Sequence, residues 1–167
     1  RLTTGTNGIP ADWPTRVVRE DPDREGLLYA GTEFGMFVSF DNGAHWQSFF
    51  LNMPQIPIND VQVHNGDLIV ATQGRGLWAF DNLSSLHQIT QRTTVAQAHL
   101  YAPRPGYRTS AAPHILGPTV DYYLPGPQSG VVRLDILDAS GNVVNSYDSS
   151  GPAAGEGGRG GGGFFGR

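Results

Sequence analysis

The sequence predicts an all-β chain built from short antiparallel strands, and three observations carry that expectation. The stretch Ser39-Phe-Asp41-Asn-Gly43-Ala-His-Trp46 follows an alternating apolar run, Met36-Phe-Val-Ser-Phe40, in the manner of a hairpin turn. Tyr29-Ala-Gly-Thr32, Gly35 and Phe40-Asp41-Asn42 return as Ile69-Val-Ala-Thr72, Gly76 and Phe80-Asp81-Asn82, with the threonines and the Phe-Asp-Asn triplets each offset by 40 residues. Composition agrees, since 23 Gly and 12 Pro in 167 residues, with 10% aromatics, suit a turn-rich chain with little helix.

Taken in order, the first copy reads as strands near Arg16–Arg19, Leu27–Thr32, Met36–Phe40 and Trp46–Leu51. The second reads as Asp60–Val63, Leu68–Thr72, Leu77–Phe80 and Leu86–Thr90. In the first turn the Asp41 carboxylate is placed to reach back to backbone N–H groups, Gly43 supplies a positive φ, and Trp46 anchors the returning strand. A repeat of about 40 to 50 residues that folds as a four-stranded sheet is the unit of a β-propeller. The second copy keeps Phe80-Asp81-Asn82 but lacks the glycine and tryptophan of the first turn.

Ser39, Asp41, Gly43 and Trp46 fill all four positions of the pattern Ser-x-Asp-x-Gly-x-x-Trp. The stretch resembles the Asp-box of bacterial-neuraminidase-type repeats, found in sialidases, xyloglucanase-like glycosidases and sortilin-type receptors. The resemblance implies that these four residues are structural and lie away from the ligand face. It also implies a secreted, periplasmic or cell-surface bacterial protein. Residues 1–92 are then expected to form two C-terminal blades of a β-propeller. A propeller closes with about four to eight blades, so the remaining blades are expected upstream in a longer polypeptide and are the chain's first partner.

Residues 93–118 carry Pro103, Pro105, Pro113 and Pro118 among small polar residues and read as an extended connector. Residues 119–150 read as a second module. Val120–Leu124 is strand-like, Val132-Arg-Leu-Asp-Ile136 alternates strictly, Asp138-Ala-Ser-Gly141-Asn142 is a hairpin loop, and Val143–Tyr147 returns. This segment resembles the first strands of an immunoglobulin-like β-sandwich, of the kind appended to large secreted bacterial propeller proteins. Residues 151–167 are Gly-rich with few apolar side chains and are expected to be disordered.

Charge and composition narrow the chemistry. The formal charge is −4, with eleven arginines and no lysine, which argues against nucleic acid or an anionic membrane surface as partner. No membrane span is expected, and without cysteine no thiolate metal site or disulfide framework is available. His45, His64, His87, His99 and His114 fall at no spacing that suggests a shared metal, and no cofactor motif is present.

In an up-and-down sheet the link from second to third strand emerges on the rim opposite the Asp-box. That topology puts Glu33-Phe34, Gln73-Gly-Arg75 and the approach segments Asp12-Trp13-Pro14 and Met53-Pro-Gln-Ile-Pro57 around a candidate ligand face. Glu33 is the weak candidate for a catalytic carboxylate, with Asp12 second. Hydrolysis of a glycosidic bond needs two carboxylates, roughly 5 Å apart for retention or about 6.5 to 9.5 Å for inversion. Gln73, Arg75, Trp13, Phe34 and Asp12 are candidate ligand-binding residues, the aromatic pair suited to a sugar face. Glu33 and Arg75 occupy related places in successive copies, where they either serve a ligand or pair with each other. A sialidase-type arginine cluster with a tyrosine-glutamate pair is not visible. Two readings follow: part of a glycosyl-hydrolase-like propeller protein acting on or binding glycans, or a non-catalytic sortilin-type propeller binding peptide or protein.

Overall fold

A computed structural model describes residues 5–50, 52–90, 97–106, 119–127 and 129–150. The described chain is all-β, in small antiparallel sheets with one five-residue helix. It divides into two compact units, Arg1–Tyr123 and Leu124–Arg167.

The first sheet joins β1 (Thr15–Glu20), β2 (Leu28–Thr32), β3 (Gly35–Ser39) and β4 (Gln47–Ser48) in the order β1-β2-β3-β4. Its central strands are buried at every position because both faces of the sheet are covered. On one face Leu28, Ala30 and Phe37 pack with Ile9 and Trp46, flanked by Trp13 and Val18. On the other face Tyr29, Met36 and Val38 pack against the second sheet. With both faces covered, neither strand shows the buried–exposed alternation of a half-exposed strand.

The second sheet, β5 (Ile58–His64), β6 (Asp67–Thr72) and β7 (Leu77–Phe80), has three strands in the order β5-β6-β7. Val61, Leu68 and Val70 face the first sheet in a shared core with Tyr29, Met36, Val38, Phe49 and Ile58. The sheets approach so closely at Gly31 that an added Cβ would lie 2.6 Å from Ile58 Cγ2 and 2.8 Å from Val17 Cγ1. Glycine at position 31 is therefore a packing requirement, since real side chains do not approach so near.

The fourth strand expected over Leu86–Thr90 is not formed. That region contains α1 (Ser84–Gln88), followed by an extended Ile89. Leu83 and Leu86 turn together into the core, the spacing of a helical face, and the Asn82 side chain accepts the Ser84 N–H at the helix entry. Without the glycine and tryptophan of the first turn, the second copy has neither the tight return nor the anchor that would start a strand.

Beyond α1, β8 (His99–Leu100) pairs with β9 (Tyr122–Tyr123), which places the strand-like Tyr122–Tyr123 residues in the first unit. Gln88 grips the backbone of Ala102 with both ends of its amide, at 3.0 and 2.9 Å, and Arg104 pairs with Asp67 at 2.8 Å. Most of the connector region and the whole 151–167 segment lie outside the described residues. In the second unit β10 (Arg133–Leu137) and β11 (Val143–Asp148) form a hairpin closed through Asp138, whose carboxylate accepts the Ser140 and Asn142 N–H groups. Among the described residues, no helix is long and apolar enough to cross a membrane.

Candidate functional site

The two hairpin turns on one rim are built alike. In the first sheet Thr32 donates its hydroxyl to the Gly35 carbonyl at 2.8 Å, and the Glu33 N–H bonds the Pro14 carbonyl at 3.0 Å. In the second, Thr72 donates to the Gly76 carbonyl at 2.7 Å, and the Gln73 N–H bonds the Pro57 carbonyl at 2.9 Å. Each β-turn is thereby tied to the proline that leads into its sheet. Asp12-Trp13-Pro14 lies beside Glu33-Phe34, and the Met53–Pro57 approach meets Gln73.

Trp13 is half-buried, with Phe34, Phe37 and Phe50 around it at ring-centroid separations of 5.1, 5.8 and 6.5 Å. Phe34 is the outer member of this cluster, 42% exposed. Gly35 makes the cluster possible, because a Cβ at its φ of +141° would fall 1.8 Å from the Phe50 ring.

Glu33 is not paired with Arg75. Its Oε1 accepts from both Nε and Nη2 of Arg16 at 2.7 Å, and Nη1 of the same guanidinium reaches Asn59 Oδ1 at 2.7 Å. Arg16 therefore links the first turn to β5, and it is this residue, on β1, that sequence spacing does not expose. Arg75 and Asp12 are exposed, and neither makes an ion pair or side-chain hydrogen bond among the described residues. No second carboxylate accompanies Glu33 on the β2–β3 turn itself.

At the other end of the first sheet the Ser39–Trp46 turn is a closed hydrogen-bond system. Ser39 Oγ donates to Asp41 Oδ1 at 2.8 Å and accepts the Gly43 N–H at 2.9 Å. Asp41 Oδ1 also accepts the His45 N–H at 2.8 Å, and Oδ2 meets His45 Nδ1 at 2.6 Å. Burial by itself raises the Asp41 carboxyl, but the His45 backbone and ring and the Ser39 hydroxyl outweigh it and hold the group below the usual carboxylate range. Gly43 takes a φ of +83°, and Trp46 is buried with its N–H on the Asn7 carbonyl at 2.7 Å. The carboxylate points into its own bend, where its hydrogen bonds hold the turn.

A second polar cluster, which sequence spacing did not reveal, lies at this same end. Asp21 is buried, and its Oδ2 accepts the Tyr29 hydroxyl and meets His87 Nε2, each at 2.9 Å, while Oδ1 accepts the Asp23 N–H at 2.9 Å. Burial first, then the charge and hydrogen bond of Asp21, push the Tyr29 hydroxyl well above its ordinary value. Arg24 bonds the carbonyls of Leu86 and Ile89 at the end of α1 and lies over the Phe40 ring at 5.2 Å. Burial lowers its pKa despite the neighbouring Tyr29 and Asp21. Asp21, Asp23 and His87 present metal-ligating atoms within 4.8 Å of one another. Both oxygens of Asp21 are already engaged by protein groups, so the set works as a brace joining the β1–β2 loop to α1.

Compared with known proteins, the chain matches no family model, no curated protein and no solved structure. Any reading of its function therefore rests on the residues and their geometry.

Proposed function

We propose that the chain forms part of a β-propeller whose hairpin rim binds a glycan without cleaving it at these residues. The propeller reading is supported by the repeated turn construction, in which Thr32 with Gly35, Thr72 with Gly76, Glu33 with Pro14 and Gln73 with Pro57 make equivalent bonds in successive sheets. It is also supported by the closed Ser39–Trp46 turn on the opposite rim.

The observation that carries the binding reading is the exposed Phe34 ring seated on Trp13, next to a Glu33 carboxylate fixed by Arg16. An apolar ring face bordered by an oriented hydrogen-bond acceptor suits a sugar, whose C–H face stacks while its hydroxyls donate. The same arrangement is poor for hydrolysis. A general acid must bring a proton to the glycosidic oxygen, with a second carboxylate opposite, whereas Glu33 is engaged as the acceptor of two guanidinium hydrogens.

Titration calorimetry of the chain with a panel of neutral oligosaccharides tests this, with Phe34→Ala as the probe. Stacking of this kind contributes about 1 kcal/mol, so the variant is expected to bind roughly fivefold more weakly and to melt like wild type. Release of sugar by the wild-type chain, abolished in Glu33→Gln, would establish catalysis in its place. Binding of peptides with no response to any glycan would establish the sortilin-type alternative.

A further inference from the structure

The chain contains three Asn-Gly pairs, at 7–8, 42–43 and 65–66. Such a pair is able to react with itself, because the glycine nitrogen has no Cβ beside it and follows directly on the asparagine whose amide it would attack. The fold restrains two of the three. Gly43 is buried, and its N–H is held by Ser39 Oγ at 2.9 Å. The Asn7 amide donates to the Gly43 carbonyl at 3.1 Å, and Gly8 is packed so tightly that a Cβ there would fall 1.9 Å from the Trp46 carbonyl oxygen.

Asn65-Gly66 is built differently. It forms the tip of the β5–β6 hairpin, with φ of 52° and 74°. Asn65 is exposed, no atom outside the adjoining residues lies within 4 Å of where a Gly66 Cβ would be, and the Gly66 N–H makes no hydrogen bond among the described residues. The surroundings supply what the reaction needs. The Asn65 carbonyl, which shares a peptide group with the Gly66 nitrogen, accepts from Arg104 Nη2 at 3.0 Å. A cation on that oxygen stabilises the negative charge that builds there when the nitrogen loses its proton. Asn65 Nδ2, the nitrogen that must leave, lies 3.1 Å from His64 Nε2, a group able to hand it a proton.

We propose that Asn65 is a self-modifying site that converts to aspartate and isoaspartate. The Gly66 nitrogen gives its proton to solvent and attacks Asn65 Cγ. The new C–N bond closes a five-membered succinimide as the Cγ–Nδ2 bond breaks, and the departing nitrogen takes a proton from His64 and leaves as ammonia. Water then opens the ring at either carbonyl, and His64 regains its proton from solvent. Both products place a new carboxylate in this turn, and the isoaspartate lengthens the main chain at the carbonyl that Arg104 holds. This inference is independent of the glycan reading, since the turn lies at the other end of β6 from Gln73.

The test is tandem mass spectrometry of the intact chain after incubation in mildly alkaline buffer, reading amide-to-acid conversion site by site. Asn65 is expected to convert about tenfold or more faster than Asn7 and Asn42, whose pairs must first break native contacts. In urea, where those contacts are lost, the three rates should converge. Arg104→Gln and His64→Phe, both at exposed positions, should each slow Asn65 about threefold or more in the folded chain and have no effect in urea. A merely structural tie would give the opposite sign, because loosening the turn frees the glycine nitrogen further. Retention of the Asn65 amide, conversion no faster than at Asn7 and Asn42, or a rate unchanged or raised in either variant overturns the proposal.

Discussion

At the residue scale, the informative side chains are those whose chemistry is directed inward. Asp41 sits at the surface with its oxygens engaged by Ser39 and His45, so its charge serves the turn. Replacing it by Asn keeps the shape and removes the charge. Because the carboxylate is partly exposed, the expected loss is modest, about 1 kcal/mol in urea unfolding at neutral pH. The sign with pH follows from the depressed carboxyl. Its stabilisation is complete above the unfolded value of about 3.9 and is lost as pH falls through the lower folded value. The gap between wild type and Asp41→Asn should therefore close below about pH 4. A gap that persists there would show that the carboxylate's charge is not what holds the turn.

At the element scale, strands β1 to β3 and β5 to β7 were legible because alternation, turn glycines and the 40-residue offset agreed with one another. The last element of the second copy was misread because the repeat was followed past the point where its chemistry stops. Asn82-Leu-Ser-Ser-Leu86 carries a helix-entry side chain and helical spacing of leucines, and these local signals prevailed over the analogy with β4. Of the rim residues, Trp13 meets Phe34 and Gln73 meets Pro57, each turn with its own approach segment. The partner of Glu33 was not legible, since Arg16 reaches it only through the β1–β2 register and its irregularity between Thr15 and Val17. The Asp21–His87 contact spans 66 positions and no local pattern encodes it.

That contact helps to attach α1, together with the buried Leu83 and Leu86 and the Arg24 bonds, because a helix of five residues is far too short to persist alone. Asp21→Asn and His87→Leu should each destabilise by about 2 to 3 kcal/mol, as each strands a partly buried polar partner. The double variant should cost less than their sum by 1 kcal/mol or more. Strict additivity in a denaturant cycle would mean that the two side chains are neighbours without being coupled.

At the scale of the whole molecule, the sheets β1–β4 and β5–β7 share one core, beside the smaller Ile9–Trp46 cluster that the first sheet carries on its other face. Tyr29, Met36, Val38 and Phe49 from one and Val61, Leu68 and Val70 from the other form a single cluster that also takes in Leu83 and Leu86. Exposing either half would uncover the other, so the sheets should unfold together. Gly31 is where this can be tested without altering charge or polarity. An alanine there drives a methyl to within 2.6 Å of Ile58 and 2.8 Å of Val17, side chains that are buried and have nowhere to move. Overpacking of this kind costs about 1 to 3 kcal/mol, which for a unit of this size lowers the melting temperature by roughly 5 to 15 °C. Calorimetry of Gly31→Ala should show the first unit's transition moved down in temperature but still single, because the strain acts on a contact both sheets share. If the transition instead splits in two, the sheets hold their structure independently, and the cluster between them is a contact surface and not a common core.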